Sequence, residues 1–324
     1  MFPAAPVAGI LAAMAEFNVD ALKDAVEKAG LRLPVHVIEQ VVAAVDAGKH
    51  VVMTGPPGTG KTTLAFLTAE VAQAAVLCTG YLPTTATTEW TTFETIGGLQ
   101  PTLEGLIFRP GMFVEAIETG RWLVVDELNR ANFDRAFGQL FTVLSGQPVV
   151  LPFKRRGRTD PIAIVPSGVE SPPNTDVIRV PANWRIMATM NVFDKNLLFE
   201  MSFALMRRFA FVEVTSPSEE DFRALIAGPG EIVGEFLPVR RLKDIGPAVF
   251  IDAAKYAARR AEQAPSKSRV LYEVFYGYLL PQFEGIDDDA AGDLYTIAAD
   301  VLEPEEQSEA RRTVEQVLGV DLRV

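Results

Sequence analysis

Residues 55–62 read GPPGTGKT, with the β-branched run VVMT before them and the apolar-periodic stretch TLAFLTAEVA after. A loop of this composition between a strand and a helix limits the fold more than any other feature of the chain. It belongs to a parallel sheet whose strands are joined by crossover helices, so the chain is expected to be α/β. The spacing is G-x-x-x-x-G-K-[ST], the pattern of a loop that cradles phosphates. Phosphate oxygens need many donors at close range. Gly58 and Gly60 let the backbone approach closely and take positive φ. Successive N–H groups, and the N-terminus of the following helix, then face the anion. The binding candidates are Gly55, Pro56, Pro57, Gly58, Thr59, Gly60, Lys61, Thr62 and Thr63. Lys61 adds a point charge, and the Thr62 hydroxyl is suited to ligate Mg²⁺.

The pattern around the loop agrees. Residues 35–47 have helical spacing and end at Gly48. His50–Thr54 reads as a strand and Thr62–Ala74 as a helix. Ala75–Thr79, Trp122–Val125, Arg185–Thr189 and Phe209–Val214 read as further short apolar strands. Two insertions interrupt them. Residues 81–121 are rich in Thr and Gly and show little strand pattern. Residues 147–184 read as a β-hairpin with a long, mobile, basic tip, KRRGR at 154–158. After Pro217 the pattern turns helical, opening with a capping box of Ser218 and Asp221. The expected organisation is an N-terminal helical extension (1–34), a nucleotide-binding core (35–216) and a C-terminal helical part (217–324).

Composition excludes several classes. Thirty Lys and Arg against 42 Asp and Glu give a net charge of −12 over 324 residues, which argues against a surface built throughout for nucleic acid. Cys78 is the single cysteine, so no intrachain disulfide forms. It reads as a small buried residue of a strand. His36 and His50 lie among apolar positions and make a zinc site improbable. No run has the ~18 apolar residues of a membrane helix, and the apolar start lacks a basic n-region. The chain reads as cytoplasmic.

Residues 122–127, WLVVDE, place two carboxylates at the C-terminal end of a buried strand. Ligands of open α/β sheets bind outside that edge. Asp126 is suited to hold Mg²⁺ and its water shell. Glu127 is suited to polarise a water that attacks a γ-phosphate.

With these residues in view, the chain resembles the AAA+ ATPases, specifically the MoxR-like and McrB-like, dynein-related branch, over roughly residues 35–280. The resemblance rests on GPPGTGKT, on VVDELNRA at 124–131, on RIMATMNVFDK at 185–195 and on FALMRRF at 203–209. It implies a three-layer α/β/α parallel sheet with a C-terminal helical lid. It also implies that Asn191 is the sensor asparagine, on a strand between those of the phosphate loop and of Asp126. Arg207 or Arg208 would reach the γ-phosphate of a neighbouring subunit, and Arg269 would reach the nucleotide from the lid. Val192 and Phe193 depart from the branch's Thr-Ala between the Met-Asn and Asp194. The insertions fit the branch, in which such elements tend to face a pore or a partner.

The leading expectation is a Mg²⁺-dependent ATPase, assembled as a homo-oligomeric ring of six, that remodels a partner protein, von Willebrand-type proteins being one class. ATP is favoured over GTP because no N-K-x-D motif is evident. The alternative is a McrB-like motor subunit of a nucleic-acid restriction complex, in which KRRGR contacts nucleic acid. A nucleotide-gated assembly module without turnover is the third reading. Glu127 argues against it.

Overall fold

A computed structural model describes residues 16–103, 105–191, 206–263 and 266–322. Two compact units emerge. One takes the chain up to Leu31, then Val35–Thr54 and Thr62–Glu213. The other takes Arg32–Pro34, Gly55–Lys61 and Val214 onward.

The first unit begins with α1 (Val19–Lys28), all that is described of the expected N-terminal extension beyond its flanks, and α2 (Val35–Asp46). Asn18 caps α1, its side chain accepting from the Ala21 N–H at 2.9 Å. Gly48, at φ +75°, ends α2 as expected. Next come β1 (His50–Gly55), α3 (Lys61–Ala74), β2 (Tyr81–Thr85), α4 (Thr92–Thr95), β3 (Gly97–Thr102), β4 (Gly105–Pro110), α5 (Met112–Glu118) and β5 (Trp122–Asp126). The remainder is α6 (Phe133–Phe137), α7 (Leu140–Leu144), β6 (Val149–Lys154), β7 (Pro161–Val165), β8 (Asp176–Arg179), β9 (Ile186–Asn191) and β10 (Phe209–Glu213).

Five strands form the central sheet in the order β10-β1-β9-β5-β2. Its registered pairs are parallel, His50 lying opposite Phe209, Leu123 opposite Ile186 and Pro83 opposite Val124. The strands are near-continuous apolar runs because helices cover both faces. Leu123, Val125, Ile186 and Ala188 are buried in one cluster with Phe113 and Trp184. The fold is the α/β layering of a P-loop NTPase with C-terminal helices, and β9 lies between β1 and β5 as expected.

Three expectations are corrected. Ala75–Thr79 is not a strand. The Leu77 N–H donates to the Ala72 carbonyl and the Val76 N–H to the Gln73 carbonyl, both at 2.9 Å, with Val76 at φ +59°. This is a helix-ending reversal, which uses the apolar run to leave α3. Cys78 lies in that reversal half-buried, its Sγ 3.8 Å from the Ala69 carbonyl oxygen, and burial raises its thiol pKa. The strand forms six residues later, as β2, inside the region read as an insertion. That region also holds the antiparallel hairpin of β3 and β4, and α5.

Residues 147–184 are likewise more than a hairpin. β6 and β7 are antiparallel, with KRRGR at their turn, but β8 pairs parallel to β7, so the SPPNT stretch is a crossover. Arg155 is bound at the base of the basic turn by Glu118 and, at 3.0 Å, by Asp176.

The second unit is helical. It contains α8 (Glu219–Leu225), a 3₁₀ stretch Glu231–Arg241, α9 (Pro247–Ala261), α10 (Lys267–Val274), a π-helical turn Phe275–Leu279, α11 (Asp288–Ala299) and α12 (Pro304–Leu318). Ser218 caps α8 as expected, accepting from the Asp221 N–H at 3.1 Å. Phe222, Phe236, Phe250, Phe275 and Phe283 fill its core. Among the described residues no helix is long and apolar enough to cross a membrane.

Candidate functional site

The phosphate loop is held open by glycines. Gly58 and Gly60 take φ of +77° and +90°. A Cβ on Gly55 would lie 2.2 Å from the Val214 carbonyl oxygen, so no side chain fits there. The Ala248 N–H, at the start of α9, donates to the Gly58 carbonyl at 3.3 Å. Gly246 lies so close that a Cβ on it would meet the Pro57 carbonyl oxygen at 2.2 Å. Thr59 Oγ1 closes the loop on the Pro56 carbonyl at 3.1 Å. Lys61 is buried, and its ammonium donates to the Gly55 and Pro56 carbonyls at 2.9 and 2.7 Å. The lysine thus satisfies its charge on the loop's own oxygens. Pro56 is buried, and Pro57 and Thr63 are exposed. The loop runs directly into the N-terminus of α3, at Lys61, where N–H groups and helix dipole favour an anion.

At the end of β5, Asp126 is the hub of the first unit's polar residues. The Thr62 hydroxyl donates to its Oδ1 at 2.7 Å, and the Thr189 hydroxyl donates to the same oxygen. Thr189 in turn accepts the Glu127 N–H at 3.0 Å. Sequence reasoning missed Thr189. It is almost fully buried (1 % exposed) in an otherwise apolar strand, and that lone polar residue two positions before Asn191 was the available clue. Glu127 sits at φ +51°, ψ 46°, an unusual conformation for a residue with a Cβ. Its N–H bond to Thr189 holds it there. Its carboxylate pairs with Arg130 at 2.8 Å.

Asn191 ends β9 and is half-buried. Asp194, Ala204 and Leu205 lie outside the described residues. The two arginines differ. The Arg208 guanidinium donates to the Ser145 carbonyl at 2.8 Å, and its own carbonyl accepts the His50 N–H at 3.0 Å. Arg207 is exposed, and its guanidinium makes no hydrogen bond or ion pair among the described residues. Only its backbone is held, by Lys49 Nζ on its carbonyl at 2.7 Å. Arg269 stands in the first turn of α10, as expected. Its guanidinium is bound by Glu309 at 2.7 Å and Glu273 at 3.4 Å, so it would have to leave both carboxylates to meet a nucleotide. His50 is a core residue. Its ring packs on Trp184 and Phe209, and its Nδ1 accepts the Ile186 N–H at 3.0 Å. Burial, then Arg185 and Arg208, push its pKa down to about 3. His36 is exposed on α2.

The donor set at Asp126, one carboxylate and one hydroxyl, suits Mg²⁺, which takes few protein oxygens and completes its shell with water and phosphate. Among the described residues no cluster of three or more His, Cys, Asp or Glu offers an alternative metal site.

Residues 50–209 match the model of the AAA domain, dynein-related subfamily. A curated relative, the Type IV methyl-directed restriction enzyme EcoKMcrB subunit of Escherichia coli (strain K12), is 27% identical over 207 residues. The match covers 60% of this chain and 40% of that protein. The solved structure of NtrX from Brucella abortus in complex with ATP aligns over 88% of this chain and 67% of that one, at 16% identity and a TM-score of 0.44. With the phosphate loop at the end of β1, the acid pair at the end of β5 and Asn191 at the end of the strand between them, residues 50–209 carry an AAA domain of the dynein-related subfamily.

Proposed function

We propose that the chain is a Mg²⁺-dependent ATPase that works as a homo-oligomeric ring, six subunits being the expected number, and couples hydrolysis to the remodelling of a partner protein. The observation that carries the reading is the hub at Asp126, where Thr62 of the phosphate-loop helix and Thr189 of the sensor strand meet one carboxylate oxygen. A site built only to bind nucleotide has no need of a second acid, Glu127, held in a strained backbone beside it.

In this reading Thr62 and Asp126 hold Mg²⁺, which when bound supplies positive charge to the phosphate oxygens. Lys61 leaves the Gly55 and Pro56 carbonyls for the β- and γ-phosphates. Loop N–H groups from Gly58 to Thr63 donate to the same oxygens. Glu127 takes the proton of the water that attacks the γ-phosphorus, and the Asn191 amide orients that water. The bond from γ-phosphorus to the bridging oxygen breaks, leaving ADP and phosphate. Arg207, whose guanidinium makes no hydrogen bond or ion pair among the described residues, serves as the arginine offered to the neighbouring subunit. Arg208 is spent on Ser145. Phosphate release by wild type and by Glu127→Gln tests the reading: a loss of about 10²-fold or more is expected, and equal rates overturn it.

A second reading is favoured by the relative among restriction enzymes: a motor subunit acting on nucleic acid with a nuclease partner. It predicts that DNA or the nuclease stimulates turnover, and that stimulation falls with salt and with the loss of Lys154 and Arg158.

A further inference from the structure

The helical unit has a cleft of about 540 Å³ to which the proposed hydrolysis assigns no role. Four of the chain's six tyrosines line it: Tyr256, Tyr272, Tyr276 and Tyr278. Its volume falls in the range of ligand sites, roughly 300–1,000 Å³. We infer that this cleft is a docking site for an arginine-bearing segment of a partner protein, whose guanidinium stacks on the outer face of Tyr276.

The cleft already contains that arrangement once. The Arg269 guanidinium lies over the Tyr272 ring, 5.0 Å from its centroid. The Tyr276 ring stacks on Tyr272 at 6.4 Å with 12° between the planes. The ladder therefore runs guanidinium, ring, ring, and ends on a residue 53% exposed. A cation over an aromatic face is attracted by the ring quadrupole, and a planar guanidinium also stacks. On the other side of the cleft Tyr256 and Tyr278 pack at 5.5 Å, and the Tyr256 hydroxyl donates to Glu273 at 2.8 Å.

The backbone is shaped for an occupant. Tyr276, Gly277 and Tyr278 form the middle of the π-helical turn. Such turns are rare and concentrate at functional sites. Gly277 has nothing within 4 Å of where its Cβ would be, so internal packing does not explain a glycine inside a helix. It leaves a flat notch between two rings.

Charge selects the ligand. Acidic residues outnumber basic ones nearly two to one over residues 217–324. Within the cleft Glu273 is already engaged by Arg260 at 2.8 Å and by Arg269. Glu309 spends one oxygen on Arg269. The attraction for an incoming guanidinium therefore rests on the exposed face of the Tyr276 ring and on the acidic excess of the unit.

The test uses the full chain and two labelled peptides, acetyl-Gly-Arg-Gly-Arg-Gly-amide and the same peptide with citrulline for arginine, titrated by fluorescence anisotropy at low salt. Wild type is expected to bind the arginine peptide at least about tenfold more tightly than the citrulline peptide. Tyr276→Ala is expected to lose about tenfold, with an unchanged melting temperature because the ring is exposed. Tyr276→Phe is expected to keep the affinity, since the ring face and not the hydroxyl makes the contact. The paired variant Asp288→Asn with Asp289→Asn removes two charges from another cleft of the same unit and should leave binding near wild type. The inference is overturned by no binding at millimolar peptide, by equal affinity for the two peptides, or by wild-type affinity in Tyr276→Ala. It is overturned equally if Tyr276→Phe loses as much as Tyr276→Ala, or if the paired Asp variant does, since the attraction would then not reside in the ring.

Discussion

Glu127 and Arg130 are joined by a 2.8 Å ion pair across a single 3₁₀ turn, and the turn begins from a left-handed Glu127. The pair holds the carboxylate that the proposed reaction uses as its base. Arg130 is more than half exposed, so the hold is weak. An ion pair of this kind contributes about 0.2–1 kcal/mol. Arg130→Ala is therefore expected to raise basal phosphate release by no more than about fivefold, with nucleotide affinity unchanged. Steady-state kinetics beside a nucleotide-binding titration check it. A fall in rate would mean that Arg130 aligns the base instead of restraining it.

Thr189 serves two neighbours with one hydroxyl, donating to Asp126 and accepting from the Glu127 N–H. Thr189→Val keeps the shape and leaves the partly buried Glu127 N–H without its acceptor. The expected loss is about 1–3 kcal/mol in denaturant unfolding. Turnover should fall further than that of Thr189→Ser, which keeps the hydroxyl.

Arg207 and Arg208 are neighbours with different duties. Arg208→Ala removes a donor from the Ser145 carbonyl and is expected to lower stability by about 1 kcal/mol. Arg207→Ala should leave the melting temperature alone and lower turnover by about 10³-fold. Mixing Arg207→Ala with Glu127→Gln should restore part of the rate, because each subunit then supplies what its neighbour lacks. No recovery at any mixing ratio would place the arginine's action within its own subunit.

His50 makes stability depend on pH. Its pKa is about 3 in the fold and about 6.5 when unfolded. The unfolded chain thus takes up the proton first, and stability is lost as pH falls from about 6.5 toward 3. Between pH 7 and pH 5 this one group is expected to remove about 2 kcal/mol. The slope should flatten by that amount in His50→Gln, as read by urea midpoints at the two pH values.

The sequence made most of the central sheet legible because its strands are buried on both faces. Trp122–Val125 and Arg185–Thr189 read as strands since apolar side chains dominate both runs. β2 escaped notice because it ends the sheet. Its residues, Tyr-Leu-Pro-Thr-Thr, face water in part and carry no apolar run, while the run just before it serves a helix-ending turn. The β7–β8 pairing was hidden for another reason: a parallel pair joined by a long crossover leaves no local turn to recognise. Asp126 and Glu127 were readable from position alone. Thr189 acts through a bond made 63 residues away in sequence, which no local pattern encodes.

Val76 offers a separate stability test. It is a β-branched residue at φ +59° with its side chain 64% exposed, so its strain is bought back by no packing. Val76→Gly is expected to stabilise the protein by about 1 kcal/mol, against the usual sign for a glycine substitution. Thermal unfolding of the two proteins decides it.

β2 is the outermost strand of the central sheet, and Pro83 stands at its middle, opposite Val124. Proline has no N–H to offer a further strand. Another chain laid along this border would find a gap in the row of donors it needs to zip up. The border is thereby protected against edge-to-edge aggregation, whatever the concentration at which copies of the chain meet.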